Sequence, residues 1–181
     1  MISLLIAKEN HLNNLILVGR KTFVETYKGM GSSRPEGLEL FYGERTFNEE
    51  RLIPVLKNSD GAESAIFVLA YFNDDIAGYA KIEFDQVPEC VPVRNSAHFA
   101  QAYILKEFQK RGIGKKLFAK IIEIAKNRSY EALWLGVWEE NLAAINYHQK
   151  MGFEKVGTVD WKFFHEKIEY TDTDIVMWRK I

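Results

Sequence analysis

The sequence predicts a mixed α/β fold, in which a central mixed sheet carries helices on both faces. Segments with the apolar period of strands alternate with segments that have the period of helices, in the order β-α-α-β-β-β-α-β-α-β-β. The composition is that of a globular protein, with 47% hydrophobic and 13% aromatic residues. A length of 181 residues suits one domain with a substantial core, so residues 1–181 are predicted to form a single domain.

The first third of the chain is predicted to be one strand followed by helices. Ile2 to Ala7 alternates like a strand, and Asn10 to Lys28 carries apolar side chains at helical spacing. Gly29 to Arg34 is predicted to be a flexible link. Pro35 to Lys57 offers one or two short helices, whose regularity is limited by Pro54.

Three strands are predicted next. Ala65 to Phe72 and Ile76 to Phe84 flank Asn73-Asp74-Asp75, which is a strong hairpin signal. Gln86 to Arg94 contains two prolines and is predicted to be a loop. Ala97 to Leu105 is mostly apolar, which predicts a buried strand.

The second half continues with alternating helices and strands. Apolar residues from Ile113 to Ala125 recur at helical spacing and predict an amphipathic helix. Ala132 to Trp138 is rich in aromatic and branched residues, which predicts a strand. Asn141 stands where a helix N-cap is expected, and Met151-Gly152-Phe153 ends the short helix that follows.

The most informative motif is Gln109-Lys110-Arg111-Gly112-Ile113-Gly114-Lys115, at the start of the amphipathic helix. Glycine has no Cβ, so the main chain can approach a ligand closely, and the free N–H groups of a helix start attract an anion. A Walker-type loop has four residues between its glycines, and a dinucleotide loop has a third glycine where this chain has Leu117. The motif therefore predicts a different phosphate-binding loop; the alternative is a glycine-containing turn before an ordinary helix.

Charge and composition exclude several classes of protein. A net charge of −1 argues against a dominant nucleic-acid or anionic-membrane surface. No apolar run reaches the length of a membrane span and no N-terminal signal is evident, so a cytoplasmic location is expected. The one cysteine, Cys90, cannot form an internal disulfide, which agrees with a reducing compartment.

Together these motifs resemble the GCN5-related N-acetyltransferase (GNAT) superfamily. That family carries Q/R-x-x-G-x-G/A at a strand-to-helix junction, which Gln109, Gly112 and Gly114 match. It later carries a strand, an Asn and a helix that ends in an x-Gly-Phe signature, which Asn141 and Lys150 to Phe153 match. The resemblance covers essentially the whole chain.

A narrower resemblance is to the bacterial PaiA-type polyamine (spermidine/spermine) acetyltransferases. It is carried by Trp134 to Asn141, Lys150 to Phe153, Gly157 and Thr173 to Met177. The resemblance implies the GNAT fold, with a sheet of about six to seven strands. It also implies transfer of acetyl from acetyl-CoA by direct attack of a primary amine, without a metal. The contacts to acetyl-CoA that it implies are Ala102, Tyr103, Ile104, Gln109, Lys110, Arg111, Gly112, Ile113, Gly114, Lys115 and Asn141.

Two histidines are the expected catalytic residues. Many relatives place a Glu on the strand before the loop, where this chain has His98 and Ala100, and a Tyr four residues before the Gly of the Gly-Phe signature, where it has His148. Because imidazole exchanges protons near neutral pH, His98 is a candidate base and His148 a candidate acid for the departing thiolate. Two alternatives stay open. His98 would simply be packed at a strand end, and His148 would contact the cofactor while the thiolate leaves unassisted.

The acceptor is expected to be a small-molecule amine, with no nucleic-acid or membrane partner and with a homodimer left open. The resemblance places one wall of the acceptor groove in the helical segment from Gly29 to Leu56. A polyamine would require carboxylates and aromatic faces, and the candidates are Glu25, Glu83, Glu139, Glu140, Asp160 and Trp138, with Tyr27 and Trp161. The alternatives are a protein N-terminal or lysine acetyltransferase and a non-catalytic acyl-CoA-binding module, the latter because the usual Glu and Tyr are absent.

Overall fold

The computed structural model of the protein describes residues 1–28, 38–57, 64–84, 87–165 and 167–181. The strands are β1 (Ile2–Ile6), β2 (Ala65–Phe72), β3 (Asp75–Glu83), β4 (Ser96–Ile104), β5 (Ala132–Trp138), β6 (Glu154–His165) and β7 (Ile168–Lys180). The helices are α1 (Leu12–Tyr27), α2 (Leu38–Thr46), α3 (Glu49–Lys57), α4 (Ile113–Asn127) and α5 (Leu142–Lys150), with 3₁₀ turns at Glu9–His11 and Lys106–Phe108.

The strands form one seven-stranded mixed sheet in the order β1-β2-β3-β4-β5-β7-β6. The pairs β1–β2, β2–β3, β5–β7 and β6–β7 are antiparallel, whereas β4 and β5 are parallel. The parallel register covers Ser96 to His98 of β4 and Ala132 to Trp134 of β5. From Phe99 to Ile104, β4 continues as a strand past the last residue of that register. The predicted mixed α/β fold class is thereby confirmed.

By their internal contacts, the residues divide into two compact units. The first comprises Met1–Phe84 and Phe99–Ile124, and the second comprises Asp85–His98 and Ala125–Ile181. The division falls within β4 and within α4. The sequence-based assignment of a single domain stays a prediction, and the two units are described separately below.

The first unit has an apolar core in which α1 and α3 pack on β2 and β3. Leu15, Phe47 and Tyr79 are among its fully buried members. Gly19 makes this packing possible, because a Cβ at that position would lie 2.1 Å from the Phe47 ring. The core therefore fixes α1, and with it the side chains of the last turn of that helix.

The second unit contains a smaller core around Trp134 of β5. Val91, from the loop before β4, and Val176 of β7 are buried against it. Arg94 fixes the course of this loop, because its guanidinium donates to the carbonyl oxygens of residues 87, 88 and 89 at 3.0 to 3.1 Å. The long β6–β7 hairpin completes this unit.

Most predicted boundaries agree with the structure. The strands at Ala65–Phe72 and Ala132–Trp138 and the helix start at Ile113 are confirmed. The helical segment before β2 contains two helices, and α3 continues through Pro54 although proline removes one helical hydrogen bond. The link predicted at Gly29 to Arg34 lies outside the described residues. Within the described ranges, every helix is too short or too polar to cross a membrane.

Candidate functional site

The loop of residues 109–115 contains a left-handed turn at the start of α4. Gly112 has a φ of +83°, a conformation that favours glycine, and Lys110 has a φ of +60°. The first main-chain bond of the helix runs from the Lys116 N–H to the Gly112 carbonyl oxygen, at 3.3 Å. The N–H groups of residues 113–115 therefore point out of the helix end, where the helix dipole favours an anion. A Cβ on Gly112 would meet no described atom within 4 Å, so the main chain here is accessible to a ligand.

Two side chains hold the main chain that leads from β4 into this loop. The Gln109 Nε2 donates to the Ile104 carbonyl oxygen at 3.1 Å, which ties the loop to the end of β4. The Lys106 N–H donates to the Glu25 Oε2 at 2.9 Å, which ties the 3₁₀ turn before the loop to α1. The family motif residue Gln109 thus positions the loop through a main-chain contact.

Arg111 also acts as an anchor in this structure. Its guanidinium carbon lies 4.8 Å from the centre of the Phe72 ring and 5.9 Å from that of Phe108. The same group donates to the Glu107 carbonyl oxygen at 3.3 Å. The positive charge of Arg111 therefore lies beside the loop, and its contact with Phe72 holds the loop against the end of β2. Direct contact of Arg111 with a phosphate stays a prediction.

The last residues of β4 present the Tyr103 hydroxyl and main-chain groups. The hydroxyl oxygens of Tyr103 and Tyr27 are 2.8 Å apart and share one hydrogen bond. The Tyr79 hydroxyl donates to the Gln101 Oε1 at 3.4 Å. Burial, reinforced by the nearby Tyr27, raises the pKa of Tyr79 well above its ordinary value, so this phenol stays protonated. Tyr103 is therefore held from the α1 side, while Ala102 beside it is exposed.

A groove of about 550 Å³ runs along α1 in the first unit. The two cationic side chains among its described lining residues are engaged: Arg20 donates to the Phe47 carbonyl oxygen and Lys21 pairs with Glu107, both at 2.8 Å. Leu40 of α2 lies in its wall, as expected if the segment before β2 lines an acceptor groove. The residues that line the groove are the apolar Ile16, Leu17, Val24 and Leu40 and the polar Asn13, Arg20, Lys21 and Glu25.

Three residues of the first unit position the end of β4, and the sequence does not predict this role for any of them. The sequence indicates Glu25 and Tyr27 only as acceptor contacts, whereas Tyr27 bonds to Tyr103 of β4 and Glu25 to the Lys106 N–H just beyond β4. Gly78 of β3 is not among the predicted site residues, although a Cβ there would lie 2.4 Å from the Tyr103 carbonyl oxygen. An isolated glycine inside a strand is a known indication of such close approach, and that indication was present in the sequence.

In the second unit, Asn141 caps α5 as predicted. Its Oδ1 accepts the Ala144 N–H at 3.1 Å, and its own N–H donates to the Trp138 carbonyl oxygen at 2.9 Å. These bonds fix the turn between β5 and α5. The further contact of Asn141 to a coenzyme stays a prediction.

His148 lies on α5, mostly buried between aromatic rings. Its ring centre is 5.7 Å from that of Phe153 and 5.6 Å from that of Tyr147, both in edge-on geometry. Burial lowers the pKa of His148 to about 4, so the imidazole is neutral at neutral pH. A neutral imidazole donates a hydrogen bond but holds no acidic proton to transfer. The predicted role as an imidazolium acid remains a prediction, and this burial makes that role more costly.

His98 is part of the aromatic packing of the second unit. Its ring lies parallel to that of Trp134, with centres 3.7 Å apart and an angle of 5° between the planes. The two residues are register partners on β4 and β5. This stacking favours the packed role that the sequence left open, while the role of His98 as a base stays a prediction.

The structure therefore brings the predicted residues together in two sets. The loop of residues 109–115 and the strand end at residues 102–104 are joined by the Gln109–Ile104 bond in the first unit. Asn141, His148 and His98 lie in the second unit, the last two in different aromatic surroundings. The first set can bind an anion and offer a strand edge. Among the described residues, no group of His, Cys, Asp or Glu is arranged to hold a metal.

The sequence of this chain is similar to those of known acetyltransferases. The model of the acetyltransferase (GNAT) family matches residues 34–153. A Lactobacillus delbrueckii subsp. lactis protein described as an uncharacterized N-acetyltransferase is 32% identical over 147 residues, which are 81% of each chain. The spermidine N(1)-acetyltransferase of Thermoplasma acidophilum is 24% identical over 156 residues, 86% of this chain and 90% of that relative.

The fold is also similar to that of a solved acetyltransferase structure. The crystal structure of a PaiA N-acetyltransferase from Thermoplasma acidophilum, solved with coenzyme A, superimposes with a TM-score of 0.79. Its sequence is 19% identical, and the match covers 100% of this chain and 99% of that one. At this identity the comparison establishes the shared fold.

The buried neutral imidazole predicts a pH dependence of stability. Between pH of about 6.5 and 4, unfolded His148 binds a proton that the folded form does not, so stability falls as the pH falls. We expect a loss of about 3 kcal/mol from this group across that window. Urea unfolding of the protein and of His148→Gln measures it. The variant should lose less stability than the parent on acidification, and equal losses would contradict the burial of a neutral imidazole.

Proposed function

The chain belongs to the acetyltransferase (GNAT) family and is an acetyl-CoA-dependent N-acetyltransferase, and from this premise we propose that it acetylates a primary amine of a small polyamine such as spermidine. The observation that carries the acetyl-CoA half of the proposal is the left-handed turn at Gly112, which leaves the first N–H groups of α4 accessible to a diphosphate. The polyamine half is supported by the similarity to the spermidine acetyltransferase over most of both chains.

In this proposal, the loop of residues 109–115 binds the diphosphate of acetyl-CoA mainly through its main chain. The N–H groups of residues 113–115 donate to phosphate oxygens, and the exposed side chains of Lys110 and Lys115 add positive charge. Gln109 and Arg111 keep the loop in the required conformation through their contacts to β4 and β2. When bound, acetyl-CoA supplies the activated thioester that the amine attacks.

The strand end at residues 102–104 is proposed to hold the arm of the coenzyme. β4 continues here past its register with β5, so main-chain groups of the strand can pair with the amides of the arm as a further strand would. A main-chain N–H near Ile104 is the proposed donor to the developing oxyanion. The Gln109 and Gly78 contacts hold this main chain in place, as such a donor requires.

The groove along α1 is the proposed acceptor site. Its apolar wall suits the methylene segments of a polyamine, and Glu25 supplies a carboxylate for one ammonium group. Glu25 also bonds to the main chain just beyond β4, so the groove leads to the strand end proposed for the thioester arm. The cations in the lining are each engaged by a carbonyl or a carboxylate, which reduces their repulsion of a polyamine.

His148 is proposed to assist the departing sulfur as a neutral N–H donor. At a pKa of about 4, roughly one His148 in a thousand is charged at pH 7, which adds about 4 kcal/mol to any transfer from the imidazolium. A hydrogen bond from the neutral ring has no such cost and still stabilises a thiolate. This role modifies the acid function expected from the sequence.

Acceptor preference is tested by the release of thiol from acetyl-CoA. Spermidine should be turned over with a kcat/KM at least about tenfold above that of butylamine, because a second cation binds a carboxylate. A peptide with a free N-terminus is the third acceptor. In Glu25→Gln, which keeps an acceptor for the Lys106 N–H, KM for spermidine should rise while that for butylamine changes little. Faster turnover of the peptide than of any polyamine would replace this proposal with a protein acetyltransferase.

Coenzyme binding is tested at the left-handed turn. Gly112→Ala places a Cβ on the open face and strains the turn, so its Kd for coenzyme A should rise about tenfold or more. Gly152→Ala is the matched control. Gly152 lies in the second unit and has a φ of +84°, so this substitution introduces the same backbone strain away from the loop. Calorimetry with coenzyme A measures both. Equal affinities for the two variants would remove the loop from the binding site.

The role of His148 is tested with two substitutions. His148→Phe removes the N–H donor and should lower kcat about tenfold or more, with little change in the Kd for coenzyme A. His148→Gln keeps a neutral N–H donor and should retain most of the activity. The opposite outcome is an equal loss of kcat in both variants, together with a wild-type kcat that falls as the pH rises through a pKa near 7. That result would show that His148 acts as an imidazolium acid.

A further inference from the structure

The β6–β7 hairpin presents a long strand edge at the margin of the sheet. β6 is the last strand in the sheet order, and among the described residues it pairs with β7 alone. Among the side chains of this hairpin that the structure describes, three large apolar ones are exposed: Trp161 at 55%, Phe164 at 61% and Ile168 at 55%. An edge strand with exposed apolar side chains is a template for pairing with another strand.

The geometry of antiparallel pairing restricts how two copies of β6 can meet. The N–H and C=O of one residue point to the same edge, and successive residues point to opposite edges. A residue that faces outward in one copy therefore pairs with a residue that faces outward in the other. It follows that the two-fold axis of a symmetric pair passes through a residue position, and that this residue faces itself.

Among the axes at Asp160, Trp161 and Lys162, the charges of β6 favour the one at Trp161. With the axis at Trp161, Asp160 of each copy lies directly opposite Lys162 of the other, which gives two ion pairs. An axis at Asp160 would place two carboxylates opposite each other, and an axis at Lys162 two ammonium groups. Like charges in these positions are destabilising. The sequence of the edge is therefore self-complementary about Trp161.

The contacts within the hairpin are compatible with this pairing. Lys162 pairs with Glu169 of β7 at 2.9 Å, yet its side chain is 66% exposed, and an ammonium group has three donors. The Asp160 Oδ1 accepts the Thr173 hydroxyl at 2.8 Å, which leaves the other oxygen available. Trp161 points to the opposite face of the strand, where the rings of two copies would meet across the axis.

We propose that the protein forms a two-fold homodimer in which the β6 edges of two copies pair antiparallel about Trp161, with Asp160 of each copy facing Lys162 of the other. The occupant of this edge is thus a second copy of the chain. The proposal does not depend on the acceptor or on the catalytic roles assigned above.

The register is tested by disulfide trapping in a Cys90→Ala background. Residues directly opposite in an antiparallel pair have Cα atoms about 4.5 to 5.5 Å apart, within the reach of a disulfide. Trp161→Cys should therefore form a covalent dimer under mild oxidation. The matched control is Thr158→Cys, which is also exposed on β6 but would lie about 20 Å from its copy. The control should stay monomeric on a non-reducing gel.

The charge pairing is tested by sedimentation of dilute and concentrated protein. Lys162→Glu should weaken association about tenfold, because it replaces two attractions by two repulsions. The double variant Asp160→Lys with Lys162→Glu restores opposite charges and should recover dimerisation. Glu169→Lys breaks the same internal ion pair without touching the edge, so it should associate like the parent. Circular dichroism confirms that each variant is folded.

These outcomes decide the proposal. Selective cross-linking at position 161 with recovery in the double variant supports the paired edge. A parent that stays monomeric at high concentration and gives no cross-link at position 161 would overturn it. A dimer that cross-links equally at both positions, or that is unaffected by Lys162→Glu, would place the interface elsewhere and also overturn it.

Discussion

The left-handed main chain at Gly112 is the constraint on which the rest of the candidate site depends. It turns the chain into α4 so that three successive N–H groups point out of the helix end. A free main chain would not hold this turn, and the surrounding side chains do so. Gln109 bonds to the end of β4, Glu25 to the turn before the loop, and Arg111 packs on Phe72. The side chains fix the geometry, and the main chain recognises the ligand.

Along β4, too, neighbouring residues fix the position of a main chain that would recognise the ligand. Gly78 lets β3 come so close that its missing Cβ would overlap the Tyr103 carbonyl oxygen. Tyr103 is held from the α1 side by Tyr27. The main chain at the end of β4 is therefore positioned by neighbours on two elements, and this rigidity is what an oxyanion donor needs.

Features set by nearby residues could be predicted from the sequence, and features set by distant ones could not. The start of α4 and the Asn141 cap depend on residues within one helical turn, and both are confirmed. The bond from Lys106 to Glu25 joins residues 81 apart, so no local pattern indicates it. The burial that lowers the pKa of His148 is a property of the packed fold, and the spacing of the motif does not reveal how deeply that side chain is buried.

The need to deprotonate the attacking amine explains why the groove would suit a polyamine. An alkyl ammonium with a pKa near 10.4 must lose a proton before attack, at a cost of about 4 to 5 kcal/mol at pH 7. A carboxylate beside the reacting nitrogen would raise that pKa and increase the cost, so Glu25 is better suited to hold an ammonium group that does not react. A polyamine has both kinds of nitrogen. Its bound cation also lowers the pKa of the neighbouring amine by repulsion, and a monoamine lacks this assistance.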